Sequence, residues 1–155
     1  MFSIIASIGK NHELGNNNDL VFKIKEDMKF FRDKTIGHTV IMGHKTWDSL
    51  PKKLENRKNI VISRNDFPGP DYIIHDINQF IEENKDSKEE IFIIGGGTVY
   101  HEFLPYAKNL YLTEVDSTAK ATTFFPEFDK SKYKKELIKK GSENGVNYQI
   151  VHYQK

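Results

Sequence analysis

Short apolar runs alternate with amphipathic stretches along this chain. Phe2–Ile8, Thr39–Met42, Asn59–Ile62 and Ile91–Ile94 are each mainly apolar and bounded by polar residues or glycine. Such runs suit strands buried on both faces, as in the middle of a parallel sheet. Helical spacing appears between them. Ile24, Met28 and Phe31 recur at i, i+4 and i+7, and Gly37 ends that helix. A short helix opens at His44 and closes at Pro51, and Asp76-x-x-Gln79 starts another with a capping-box-like signature. A further helix carries Val99, Phe103 and Leu104 until Pro105 stops it. Tyr72–Ile74 is a short strand, and Leu110–Val115 alternates as one. Two long strands then flank Gly141–Gly145, where Asn144-Gly145 is a hairpin signal. Gly9 to Leu20 lacks periodicity and reads as a long polar loop, a length that often marks a functional lid. Ser117 to Asp129 is a second loop. The class is α/β.

Three of the strand ends carry groups suited to an anion. Gly95-Gly96-Gly97-Thr98 follows an apolar strand and opens a helix. Such a turn brings bare backbone up to a ligand, and a helix start offers unpaired N–H groups to phosphate. It is not the dinucleotide fingerprint, because Tyr100 stands where the third glycine belongs, and it is not a P-loop, because no Gly-Lys-Ser/Thr follows. Alone it is a tight turn of any α/β domain. Gly43-His44-Lys45-Thr46 and Ser63-Arg64 are the other two ends. In open α/β sheets, ligands sit outside the carboxyl ends of the strands. Three anion-ready ends imply spread-out phosphates, and a dinucleotide with an extra ribose phosphate, NADPH rather than NADH, fits that count.

Asp27 falls at i+3 from Ile24, inside the apolar stripe, whereas Lys23, Lys25, Glu26, Lys29 and Arg32 point the other way. An unpaired buried charge is expensive, so this carboxylate needs either a structural partner or a function. Lining an apolar pocket would push its pKa up, towards proton transfer or binding of a cationic donor group. It has no partner acid, base or nucleophile, which excludes a Ser/His/Asp hydrolase and a two-carboxylate glycosidase. Hydride transfer needs only a bound cofactor and a proton route. The pattern therefore reads as a nucleotide-dependent reductase.

Composition narrows this further. A length of 155 residues fits one domain spanning 1–155. A net charge of +1 gives no case for nucleic acid or a membrane surface as partner. The absence of cysteine excludes disulfides and thiolate chemistry and is compatible with a reducing cytosol. The six histidines show no ligand spacing, so no metal is expected.

Several segments in a fixed order carry a specific resemblance. They are Leu14-Gly15, Asp27 to Phe31, Val40-Ile41-Met42-Gly43 with Thr46-Trp47, and Leu54 with Arg57-Lys58-Asn59-Ile60. Ile94-Gly95-Gly96-Gly97 with Val99-Tyr100, Leu112-Thr113, and Thr123 with Phe125-Pro126 follow. Over essentially its whole length the chain resembles dihydrofolate reductase. The resemblance implies an eight-stranded, mostly parallel sheet with an antiparallel C-terminal strand and about four flanking helices. It implies a cis Gly95–Gly96 peptide. It further implies a cytoplasmic, monomeric enzyme that reduces 7,8-dihydrofolate with NADPH and binds antifolate inhibitors.

Residue roles carry over by the same resemblance. Asp27 would hold the pterin 2-amino group and N3 and promote protonation at N5, with Thr113 on its other side and Phe22 beside the reacting centre. Ile5, Met28, Phe31, Leu50, Leu54 and Ile94 would wall the substrate, joined by Ser7 and Tyr100, and Arg57 would take the glutamate-tail carboxylate. Ser7, Leu14, Gly15, Asn18 and Leu20 would line the nicotinamide side and form the lid. The rest of the cofactor would lie along Gly43, His44, Lys45 and Thr46, along Ile62, Ser63 and Arg64, and along Ile94 to Tyr100, which includes Gly95, Gly96, Gly97, Thr98 and Val99.

Three positions depart from the family pattern. Val21-Phe22 replaces Pro-Trp and loses an indole N–H. His44 replaces an arginine. Ala121-Thr122 replaces Gly-Asp, whose carboxylate bonds to the mobile loop in many members. Two other readings stay open here: a reductase of the same fold acting on another heterocycle, such as the pyrimidine reductases of riboflavin synthesis, and a ligand-binding protein without turnover.

Overall fold

The computed structural model describes every residue except Asn18. Strands and helices alternate as the hydrophobic pattern predicts. In chain order they are β1 (Phe2–Ile8), β2 (Glu13–Asn16), β3 (Asp19–Leu20), α1 (Lys25–Thr35), β4 (Thr39–Gly43), α2 (His44–Ser49) and β5 (Lys58–Ile62). β6 (Tyr72–Ile74), α3 (Ile77–Asn84), β7 (Ile91–Gly95), α4 (Gly97–Phe103), β8 (Ala107–Val115), β9 (Thr123–Phe124), β10 (Lys134–Glu143) and β11 (Val146–Gln154) follow.

Eight strands form the main sheet in the order β10-β11-β8-β1-β7-β4-β5-β6. Pairs along β8-β1-β7-β4-β5-β6 are parallel. β11 runs antiparallel to both β8 and β10. This is the mostly parallel sheet with an antiparallel C-terminal strand and four helices that the resemblance implies. β7, β4 and β5 are neighbours, so the three anion-ready strand ends lie side by side.

Side chains of β1 alternate between two apolar layers. Phe2, Ile4, Ala6 and Ile8 pack with α3 and α4 residues such as Ile81, Val99 and Phe103. Ile5 faces the other layer, with Val40, Met42, Phe92 and Tyr111 beneath Phe30 and Phe31 of α1. Asp76 caps α3 by accepting from the Gln79 N–H at 3.1 Å. Asn144 (φ 52°) and Gly145 (φ 78°) both take the left-handed region at the β10–β11 turn, as a two-residue hairpin demands.

Three expectations change. Residues 9–20 are not all loop: β2 pairs with β3 and β9 in a small antiparallel sheet. Short polar strands leave little periodicity to read. β8 begins earlier, at Ala107, and does not alternate, because both its faces are covered over most of its length. The inward stripe of α1 holds at Ile24, Asp27 and Phe31 but not at Met28. Ile24 is the residue before the helix and Met28 is 56% exposed. The covered positions are Asp27, Phe30, Phe31, Lys34 and Thr35, which places Asp27 on the buried face itself.

Candidate active site

Asp27 projects from the first turn of α1 towards β8. Its Oδ1 accepts a hydrogen bond from the Thr113 hydroxyl. Thr113 is only 1% exposed, and its β-bridge partner on β1 is Ser7. Burial pushes the Asp27 pKa above the ordinary carboxylate value, and the Thr113 bond only partly opposes it. The result is a carboxyl poised to hold or pass a proton, with one oxygen already fixed.

An apolar cluster lies on the same face of α1, which contributes Phe30 and Phe31 to it. Ile5, Phe31, Leu50, Leu54 and Ile94 share one hydrophobic cluster. Met28 lies outside that cluster on the exposed side of α1. Phe22 packs instead against Ile24, Val115, Tyr148 and Ile150. Tyr100 is 4% exposed and its hydroxyl donates to the Ile5 carbonyl at 2.8 Å. Burial, and then the charge of Asp27, raise its pKa, so it stays a neutral donor. Tyr100 thus braces β1 from behind, with its proton committed within the protein.

Arg57 lies against the C-terminal end of α1, at Thr35. Its Nε donates to the Glu55 carbonyl at 2.9 Å and one terminal nitrogen donates to Thr35 Oγ1 at 3.1 Å. Partial burial and the nearby Arg32 charge disfavour its charged form. No carboxylate among the described residues pairs with it, so its fork remains available to an incoming one.

A cleft of about 390 Å³ runs over the ends of β7 and β4. Leu14, Gly15 and Leu20 wall one side, Gly43 to Thr46 another, and Ile94 to Val99 the floor. Thr123 of the resemblance also lines it, as do Asp19 and Ser49, which sequence reading did not single out. The Gly95–Gly96 peptide is cis, and Gly95 has φ +129°, a region that disfavours any side chain. A Cβ on Gly43 would meet Val99 Cγ2 at 3.1 Å, and one on Gly97 would meet the Phe124 carbonyl oxygen at 3.1 Å. Glycine at these positions keeps the floor open and closely packed. α2 and α4 are short, with six and seven residues, so what they present is free backbone N–H groups rather than a long dipole.

Beyond the cleft, His44 Nδ1 and Ser63 Oγ are hydrogen-bonded at 3.2 Å, and His44 stacks on Phe67 with centroids 4.3 Å apart. His44 Nε2 also lies 3.6 Å from Asp48 Oδ1. His75 holds this corner, bonding the Ser63 carbonyl at 2.8 Å and Asp66 Oδ1 at 2.7 Å, and the Asp66 bond raises its pKa. Sequence reading missed Phe67 and His75, whose contacts appear only once β5 and β6 are paired. Arg64 is exposed beside them, and Ile62 closes β5 and packs on the core layer instead of lining the cleft. Asn18 lies outside the described residues.

These residues fit a phosphorylated dinucleotide on two structural grounds. Ser7 Oγ is the one buried side-chain polar atom without a partner among the described residues. Its partner across the β1–β8 ladder is Thr113, which holds Asp27, and buried hydroxyls are normally satisfied. Gly96 also leaves the space before Thr46 Oγ1 open, 3.6 Å from where a Cβ would sit.

A larger groove, about 800 Å³, lies elsewhere, among Lys10, Glu114, Lys140 and Tyr148. It holds none of the candidate residues. Its Glu114 carboxylate is already met by Gln149 and Tyr153, each at 2.7 Å, and its Asp116 pairs with Lys10 at 3.1 Å.

A model of the dihydrofolate reductase family matches residues 1–155. The chain belongs to the dihydrofolate reductase family. A dihydrofolate reductase of Buchnera aphidicola is 41% identical over 147 residues, covering 94% of this chain and 91% of that protein. The Bacillus subtilis enzyme is 34% identical over 161 residues, covering 100% of this chain and 95% of its own. Among solved structures, dihydrofolate reductase from Enterococcus faecalis complexed with NADP(H) and RAB-propyl has a TM-score of 0.85. It is 26% identical, with 99% of this chain and 95% of that chain covered.

Family membership makes the substituted lid contact informative. In place of the usual carboxylate, Thr122 Oγ1 accepts from the Asn17 N–H at 3.0 Å, and the Thr122 N–H donates to the Gly15 carbonyl at 2.8 Å. This dihydrofolate reductase family member therefore ties its first loop to the 117–125 segment with a hydroxyl and a peptide group. No helix among the described residues is long and apolar enough to cross a membrane.

Proposed function

We propose that this protein, as one domain, reduces 7,8-dihydrofolate to tetrahydrofolate with NADPH. The observation that carries the reading is the half-buried Asp27, bonded by Thr113 on the helix face that meets the cluster of Ile5, Phe31, Leu50, Leu54 and Ile94, together with the glycine-floored cleft. Bound NADPH supplies the hydride. The Gly95–Thr98 and Gly43–Thr46 segments hold its phosphates, and His44, Ser63 and Arg64 hold its adenosine end. Leu14, Gly15 and Leu20 exclude water from the nicotinamide side, which strengthens electrostatics in the pocket.

Asp27 accepts hydrogen bonds from the pterin 2-amino group and N3 through its oxygens. Its proton equilibrium favours protonation at N5. Thr113 keeps the carboxyl in one rotamer, so little reorganisation is needed when charge shifts. The Arg57 fork binds the α-carboxylate of the glutamate tail, and the same pocket accepts antifolates. The enzyme works as a cytoplasmic monomer.

The deciding measurement is NADPH oxidation by the purified protein with and without dihydrofolate, compared with NADH. Dihydrofolate-dependent turnover that prefers NADPH is the expected result. NADPH binding without turnover would sink the proposal. A second expectation concerns the adenosine end. His44→Arg places a permanently charged fork beside Ser63 and should lower the KM for NADPH several-fold while leaving that for NADH unchanged. An equal change for both cofactors would remove His44 from the ribose-phosphate contact.

A further inference from the structure

Glu13 has no part in the chemistry above, yet it is the most completely covered carboxylate among the described residues, at 2% exposure. Its Oε1 accepts from the Asn11 N–H and its Oε2 from the Ala119 N–H, each at 2.7 Å. The second bond joins positions 106 apart in sequence. No cation among the described residues pairs with it, and the adjacent His12 lies 3.9 Å from Glu127 instead. Burial pushes its pKa up, but the N–H groups of Ala119, of Glu13 itself and of Asn11 together outweigh burial, and the net direction is down. Glu13 is therefore ionised at neutral pH and held by backbone donors alone. Such charge-assisted bonds are stronger than neutral ones.

The place of these bonds matters. Asn11 opens the first loop and Ala119 belongs to the segment that crosses it. Glu13 starts β2 and pairs with Phe124, and the next residue, Leu14, lines the cofactor cleft. The carboxylate also fills the space over Gly9, where a Cβ would lie 2.5 Å from Oε1 and 2.7 Å from the Phe22 ring. One side chain thus fixes the loop start, the crossing segment and the β1 end beneath Phe22.

We propose that Glu13 is a positioning residue that locks the first loop against the 117–125 segment and so holds Leu14, Gly15 and Leu20 over the cofactor. The proposal rests on the cofactor-site reading above. The lock acts together with Thr122: Glu13 fastens the near end of β2 and Thr122 fastens its far end. Releasing one end lowers the fraction of molecules whose cleft wall is formed, and apparent cofactor affinity falls with that fraction.

Glu13→Gln keeps the shape but replaces one acceptor oxygen with an amino group that faces a backbone N–H. The expected result is a KM for NADPH raised roughly tenfold, the factor that about 1.4 kcal/mol represents. The KM for dihydrofolate should stay within about twofold, because the substrate walls lie on other elements. Amide hydrogen exchange should quicken at Asn11 and Ala119 and remain slow in β8. A carboxylate that only supported the fold would lower the melting temperature and leave the NADPH KM where it was. That outcome overturns the proposal. Should the variant fail to fold, exchange in the parent chain decides. Slow exchange at Asn11 and Ala119, slower still with NADPH, supports the lock, and exchange as fast as an open loop overturns it. Failure of the parent chain to turn over dihydrofolate would instead strike the reaction assignment, and the amide readout would still judge the lock.

Discussion

Asp27→Asn is expected to lower turnover at neutral pH by roughly a hundredfold or more, within the usual range for a general acid–base group. The amide is nearly isosteric, and its oxygen still accepts from Thr113, so the pocket keeps its shape. What disappears is the titrating group. Activity should recover in part at lower pH, where the substrate is already protonated in solution. An unchanged rate at neutral pH would defeat the assignment. The same variant should be more stable than the parent. Burial raises the folded-state pKa of Asp27 above its unfolded value. The native state therefore binds the proton more tightly, and stability falls as pH rises from about 3.9 through the folded-state value. Asparagine removes that penalty. Melting temperatures should favour the variant at neutral pH and converge with the parent below the ordinary aspartate value. A variant less stable than the parent at neutral pH would mean that Asp27 is held by contacts beyond Thr113.

Arg57→Ala is expected to raise the KM for dihydrofolate by roughly tenfold to a hundredfold, as loss of a charged hydrogen-bonding pair does at about 1.5–3 kcal/mol. The guanidinium is already oriented by Thr35 and the Glu55 carbonyl, so little ordering remains for substrate binding to supply. A pterin substrate lacking the glutamate should be almost indifferent to the change, and kcat should move little. An equal effect on both substrates would contradict a role at the tail. Thr35 also anchors its own helix end, donating to the Phe31 carbonyl at 2.7 Å, so the Arg57 contact ties this guanidinium to α1, the helix that carries Asp27.

Several parts of the site were legible before any coordinates. The run of glycines after β7 announces a backbone that must approach a ligand. Gly43 and Ser63-Arg64 announce the same at β4 and β5, and the parallel sheet sets these ends side by side. Asp27 stood out because a carboxylate in an apolar stripe is costly. Other parts were not legible. On α1 the reading fails at Met28 alone, because spacing from Ile24 does not show which of the i+3 and i+4 positions turns inward. Thr122 read as a lost contact because residue type alone does not show that a hydroxyl and a peptide N–H can stand in for a carboxylate.

The sequence by itself determined the α/β class, the order of the elements of the main sheet, the three adjacent strand ends rich in glycine, hydroxyl and basic groups, and the place of Asp27 on a covered helix face. These follow from local properties: periodicity, glycine freedom and the penalty on a lone buried charge. The tertiary structure alone decided that the Tyr100 proton is spent on the Ile5 carbonyl, that Phe67 and His75 frame His44 and Ser63, and that Glu13 bridges two loops. Each of these depends on segments far apart in the chain meeting within about 3 Å, where a hydrogen bond forms, or at ring-stacking distance. Local pattern carries no record of such meetings.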